Sequence, residues 1–165
     1  YKLPLKNTVI SFMMLVPIHT GIYKKKDINM MTLFYAAALC ILGLVIAFQT
    51  GRTRFSSETN LGTGDSFEML QITRAHGNLI EYALFFLILS FLLETVGQIP
   101  NLATGLLGDF FIASRIAHAY GITRPEGKSN FRAAGTFITM AVLLIQSIWA
   151  LKISISWMMV NSWGF

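Results

Sequence analysis

Within residues 74–82, read as RAHGNLIEY, an arginine, an asparagine, a glutamate and a tyrosine recur at spacings of one helical turn. On a helix advancing about 100° per residue, Arg74, Asn78 and Glu81 fall within about 60° of one another, with Tyr82 next to Asn78. His76 points to the opposite side. One face therefore offers a cation, an amide, a carboxylate and a phenol. Such a set suits a small zwitterion: the guanidinium takes a carboxylate, the glutamate an ammonium, and the amide peptide groups. The plainer alternative is a pair of interfacial charges without a ligand. Four polar types on one face, leading into bare hydrocarbon, favour the ligand, because each group is costly at a hydrocarbon edge unless it is paired.

Other polar groups interrupt the later apolar sequence. Arg115 and His118 lie three apart and share a helical face. Asp109 stands about two turns earlier, Arg132 opens the last apolar stretch, and Arg52 and Arg54 close the first. Together they suggest an arginine-rich pocket that attracts an anionic ligand and opens sideways to lipid. Arg115 would equally suit a carboxylate on the second helix, and Asp109 a partner on a neighbouring helix. No metal is expected: HxxxH and ExxH pairs are absent, and His76 faces away from Glu81. No serine sits in a nucleophile-elbow context.

The elements that must position these groups are membrane helices. Only 13% of the 165 residues are charged, against roughly 25% in soluble domains, and the mean hydropathy is +0.58. Four stretches, 30–48, 78–96, 102–122 and 133–151, meet or approach the roughly 20 apolar residues that cross a bilayer. Their continuous pattern excludes the alternation of strands. The predicted fold class is all-α, an integral membrane four-helix bundle. The net charge of +5 sits beside these segments, where Lys and Arg mark cytoplasmic loops, and is not taken as a nucleic-acid surface. Cys40, the single cysteine, permits no intrachain disulfide or CxxC motif and reads as a packed small residue.

Connections and ends complete the outline. GTGD at 62–65 reads as a turn, and Asp65 or Ser66 is expected to cap a helix starting near Phe67. That second helix would be longer than the bilayer. GQIPN at 97–101 makes the second and third helices antiparallel neighbours. Ala103, Gly105, Gly108, Ala113 and Ala117 are expected to form the packing face of the third helix. Arg52, Arg54, Arg74, Arg124, Lys128 and Arg132 place the loops after the first and third helices in the cytoplasm. Lys24, Lys25 and Lys26 would then oppose the rule, so residues before Met30 are expected to be a mis-called or dispensable extension, or a short interfacial helix. Trp157 and Trp163, in the tail from 156 to 165, suit the membrane–water interface.

The segments GDSFEMLQITRAHGNLIEY, SRIAHAYGI and FRAAG resemble the MAPEG family, membrane-associated proteins in eicosanoid and glutathione metabolism, over about residues 31–151. The HAYG element is similar to its bacterial branch. The resemblance implies a homotrimer with glutathione, as co-substrate, between subunits in the cytoplasmic half. Arg74, Asn78, Glu81 and Tyr82 would hold the tripeptide, joined by Arg52 or Arg54. His76 would approach the glutathione of another interface. Arg132 matches the arginine that assists the thiol: a fixed guanidinium favours thiolate and raises the nucleophilic fraction. Two departures stand out: His118 and Ile122 occupy places held by tyrosines in eukaryotic synthases, with Tyr120 out of register, and the loop at 123–131 is longer. The expected function is a bacterial inner-membrane, glutathione-dependent transferase or peroxidase acting on lipophilic electrophiles or hydroperoxides. The alternative is a non-catalytic protein of the same scaffold that binds a thiol, a lipid or a protein partner.

Overall fold

A computed structural model describes residues 30–125 and 128–161 of the chain. The expected N-terminal extension and Trp163 lie outside the described residues. Among the described residues four helices follow one another: α1 Met31–Ser56, α2 Phe67–Thr95, α3 Asn101–Ile122 and α4 Asn130–Val160. No strand occurs among the described residues. The helices alternate in direction. One end of the bundle carries residues 57–66, 123–125 and 128–129, and the other carries the link around Pro100, the start of α1 and the end of α4.

Local chemistry explains most boundaries. Ser66 caps α2, its Oγ accepting the Met69 N–H at 3.1 Å, which selects serine from the two expected caps. Gly62 and Gly64 adopt φ of 71° and 52° in the preceding turn, a region that side chains resist. Ser129 caps α4 in the same manner as Ser66, from the Phe131 N–H at 3.2 Å. With 29 residues, α2 is about 44 Å long and exceeds a hydrocarbon core of about 30 Å. Helices α1, α2 and α4 are long and apolar enough to cross a membrane. The third helix is less apolar because it carries the interior polar groups: Thr104, Ser114, Arg115 and His118 are all buried.

The outer surface is apolar, with Phe34, Phe48, Leu84, Phe110, Phe137 and Ile148 exposed, as a protein solvated by lipid requires. Inside, Phe86 stacks on Phe111 with centroids 4.0 Å apart, and Tyr35 meets Phe86 edge-on. The Tyr35 hydroxyl reaches the Gly105 carbonyl at 2.7 Å and Asp109 Oδ1 at 2.8 Å. Asp109 thus finds its partner on a neighbouring helix. A Cβ on Gly108 would overlap the Tyr35 ring, so this glycine allows α1 to lie against α3. The expected packing face is only partly one face: Gly105 and Gly108 are buried, whereas Ala113 is exposed. Cys40 is exposed on α1, not packed, because its position lies off the side that carries Tyr35, Leu39 and Ile46 inward.

At the Pro100 end, Met30 offers α1 no side-chain cap. Glu94, near the end of α2, supplies one: its carboxylate accepts the Met31 N–H at 3.1 Å and the Thr32 N–H at 2.9 Å. A negative charge there also complements the positive end of the α1 dipole. At the opposite end, α3 and α4 touch backbone to backbone. A Cβ on Gly121 would overlap the Arg132 amide, and one on Gly135 would come within 2.6 Å of the Ser114 carbonyl. Ser114 and Thr139 join hydroxyls across this contact at 2.8 Å.

Candidate functional site

The stripe on α2 is intact and turned outward. Arg74 and Glu81 are exposed, and Asn78 and Tyr82 are half-buried between them and the bundle. The Asn78 amide nitrogen donates to the Arg74 carbonyl at 2.9 Å, which orients the side chain along the stripe and leaves its oxygen as an acceptor. Two charged groups on an outer face, at the point where α2 turns apolar, have no partner within the described part of their own chain.

The other side of α2 faces a second polar feature. Glu68, Ile72 and His76 succeed one another at four-residue spacing, away from the Arg74 stripe. Glu68 and Ile72, with Gln49, Arg52, Thr53 and Thr123, line a cleft of ≈ 450 Å³ between α1, α2 and the end of α3. Gln71 also borders it, and its amide nitrogen donates to the Arg124 carbonyl at 2.6 Å, tying α2 to the loop after α3. Arg54 does not join this cleft. Its guanidinium donates to the Thr59 and Gly62 carbonyls at 3.1 and 3.2 Å and so organises the loop between α1 and α2. Of the two arginines closing α1, Arg52 presents its side chain to a cavity and Arg54 is committed to its own loop.

Arg132 lies in the first turn of α4 and is exposed. With Lys128, Asn130, Thr136, Phe137 and Met140 it borders an open groove of ≈ 590 Å³ that runs from polar residues to apolar ones. Arg115 and His118 are placed differently from the other candidates. Both are buried, with 2% and 5% of their surface exposed. Arg115 finds no carboxylate among the described residues. Its guanidinium lies 5.2 Å from the Tyr82 ring centre and donates from Nη2 to the Gly135 carbonyl at 3.1 Å. Its Nε is buried without a hydrogen-bond partner. These contacts also set depth: one turn toward the loop end from Tyr82 and Gly135 lie Asn78 and Arg132. The α2 stripe and Arg132 are therefore level with each other in the bundle.

Residues 32–152 match the sequence profile of the MAPEG family. The chain belongs to the MAPEG family. No curated protein matches it. In this MAPEG protein His118 and Ile122, the residues that the resemblance sets against tyrosines of eukaryotic synthases, are both buried. Tyr120 is exposed, edge-on to Phe131 with centroids 5.5 Å apart and under the Arg124 guanidinium at 4.0 Å, so its ring packs against the first turn of α4 beside Arg132. The Arg74 stripe was legible in the sequence because helical spacing is local. Gly121 and Gly135 carry no such mark: a glycine within an apolar helix gives no sign of which helix will lie against it. Gln71 and Glu94 were missed for the same reason, their partners being 53 and 63 residues away.

Proposed function

We propose that this protein is a membrane-embedded, glutathione-dependent transferase or peroxidase acting on lipophilic electrophiles or hydroperoxides. The observation that carries this reading is the outward-facing Arg74–Glu81 stripe at the depth of Arg132. A zwitterionic tripeptide would be held by Arg74 through a carboxylate, by Glu81 through its ammonium and by Asn78 through peptide groups. Arg132, at the same level, would stabilise the thiolate. The groove beside Arg132, apolar along Phe137 and Met140, gives a membrane-dissolved substrate a route to the sulfur.

The same geometry supports a homotrimer. Exposed Arg74 and Glu81 at a hydrocarbon edge are costly, and a neighbouring copy would cover them. The cleft with Arg52 lies on the other side of α2, the side on which His76 follows Ile72 by one turn. Two copies in ring symmetry would bring the stripe of one against the cleft of the next. In this reading the loops carrying Arg52, Arg124 and Lys128 face the cytoplasm of a bacterial inner membrane. A second reading, a non-catalytic protein binding a thiol, lipid or partner on the same scaffold, is favoured by buried His118 and Ile122, which present no phenol to a ligand.

Titration of the detergent-solubilised protein with glutathione, read by thiolate absorbance and by turnover of a model electrophile, separates the two. The expected result is binding that Arg74→Ala or Glu81→Ala weakens, and a thiolate signal that Arg132→Ala abolishes. Absence of binding at millimolar glutathione would sink the enzyme. Binding without thiolate or turnover would favour the second reading.

A further inference from the structure

We infer that Arg115 is a positioning residue that holds the α2 stripe and Arg132 in register, acting through Gly135 and Tyr82 and not by touching ligand. The inference rests on the proposed role of Arg132. Arg115 is 2% exposed, which removes it from a ligand on the outer face of α2. What it does touch joins the two halves of the proposed site. On one side is the ring of Tyr82, at 5.2 Å from the guanidinium carbon, within the stripe. On the other is the Gly135 carbonyl at 3.1 Å, one helical turn after Arg132.

The surroundings make this joint rigid. Gly121 lets α3 lie directly on the Arg132 amide, and Gly135 packs under the Ser114 carbonyl and the His118 amide. Thr139 Oγ1 sits 2.8 Å from the same Gly135 carbonyl, as its donor, and the same distance from Ser114 Oγ. The first turns of α4 therefore cannot slide along α3 without breaking several contacts. A planar guanidinium can lie against Tyr82 and Phe111, 6.0 Å from the latter's ring centre, while donating sideways to a carbonyl. A lysine ammonium has neither the plane nor the fork.

Stability gives no reason for this residue. A buried cation without a counter-charge among the described residues, and with an unpartnered Nε, opposes folding, and apolar residues of similar volume commonly replace buried charges without loss. A role in placement accounts for its presence, and the two roles predict different outcomes on substitution. With the α2–α4 register loosened, a shift of Arg132 by about 1 Å is enough to lower the rate roughly 100-fold.

The test uses the full chain in lipid nanodiscs, comparing wild type, Arg115→Met, Arg115→Lys and Arg132→Ala. Four quantities are read: thermal midpoint, glutathione affinity, the pH midpoint of bound-thiol ionisation, and hydrogen exchange over residues 131–136. For Arg115→Met the thermal midpoint is expected to hold or rise and glutathione affinity to change little. The thiol midpoint should move up toward that of Arg132→Ala, with faster exchange at 131–136 and unchanged exchange at 140–150. Arg115→Lys should follow Arg115→Met, and it carries the test if the methionine variant fails to fold. An unchanged thiol midpoint overturns the proposal, whether the thermal midpoint falls (a purely structural role) or affinity falls (a ligand contact). If wild type binds no glutathione, the functional reading fails separately. The exchange comparison then decides by itself whether Arg115 sets the Arg132 turn, with unchanged exchange refuting it.

Discussion

Glu94→Ala should be among the most damaging single substitutions at the Pro100 end of the bundle. The Glu94 side chain is 7% exposed, and its two oxygens accept the Met31 and Thr32 amides at 3.1 and 2.9 Å. Truncation strands both donors at about 1–3 kcal/mol each. The lost attraction between carboxylate and helix terminus adds up to about 2 kcal/mol in a partly buried geometry. Water reaching the exposed edge of α1 offsets part of this, and ordinary cap deletions cost about 0.5–2 kcal/mol. The expected loss is therefore about 2–4 kcal/mol. Glu94→Gln keeps one acceptor oxygen but opposes the second amide with an NH₂ group, so about half of that loss should appear. Unfolding in mixed micelles, followed by helicity, measures both, and hydrogen exchange at residues 31–34 localises the effect. Glu94 is 13 residues beyond Glu81, about 20 Å along the helix, so glutathione affinity per folded molecule should be unchanged. A loss under about 0.5 kcal/mol for the alanine variant, within the range of inert surface changes, would refute the capping role. So would a glutamine variant less stable than the alanine one.

Further outcomes follow from single contacts. Gly108→Ala drives a methyl into the Tyr35 ring and should cost about 1–3 kcal/mol by overpacking, readable in the same unfolding assay. Gln146 donates to Ser90 Oγ at 2.8 Å but leaves its buried Oε1 unpartnered. Replacing both ends, Ser90→Ala with Gln146→Leu, should be neutral or stabilising, since removing a poorly satisfied buried pair spares its desolvation. Arg54→Met should speed hydrogen exchange across residues 58–62, where its two carbonyl acceptors lie, with little effect on glutathione titration. Arg52→Met, which empties the cleft of its cation, should weaken that titration. The reverse assignment of the two arginines would overturn the distinction drawn between them.

Legibility in the sequence followed the range of each interaction. The Ser66 cap was readable because a cap acts within three residues, and the Arg74–Tyr82 stripe because helical geometry sets the angle between residues one turn apart. The small residues of α3 marked close packing, and Gly105 and Gly108 do lie against Met31 and Tyr35 of α1. Ala113 belongs to the same composition and faces outward. Arg115 illustrates the limit most clearly. Its type and depth announced an intramembrane cation, for which a carboxylate on α2 and an anionic ligand were equally suitable partners. The structure instead offers it a ring from α2 and a carbonyl from α4, 20 residues on.

From its sequence alone this protein was determined to be a helical membrane protein of the MAPEG type with one polar face on its second long helix. Composition, apolar run length and the 3.6-residue repeat are properties of adjacent residues and survive without any knowledge of neighbours. Only the tertiary structure decided that Glu94 caps another helix, that Arg52 and not Arg54 borders a cavity, and that Arg115 ties Tyr82 to the turn carrying Arg132. Each of those depends on which helices lie side by side and at what height. Closest approach is set by glycines and ring stacking at positions far apart in the chain, and no local pattern records them.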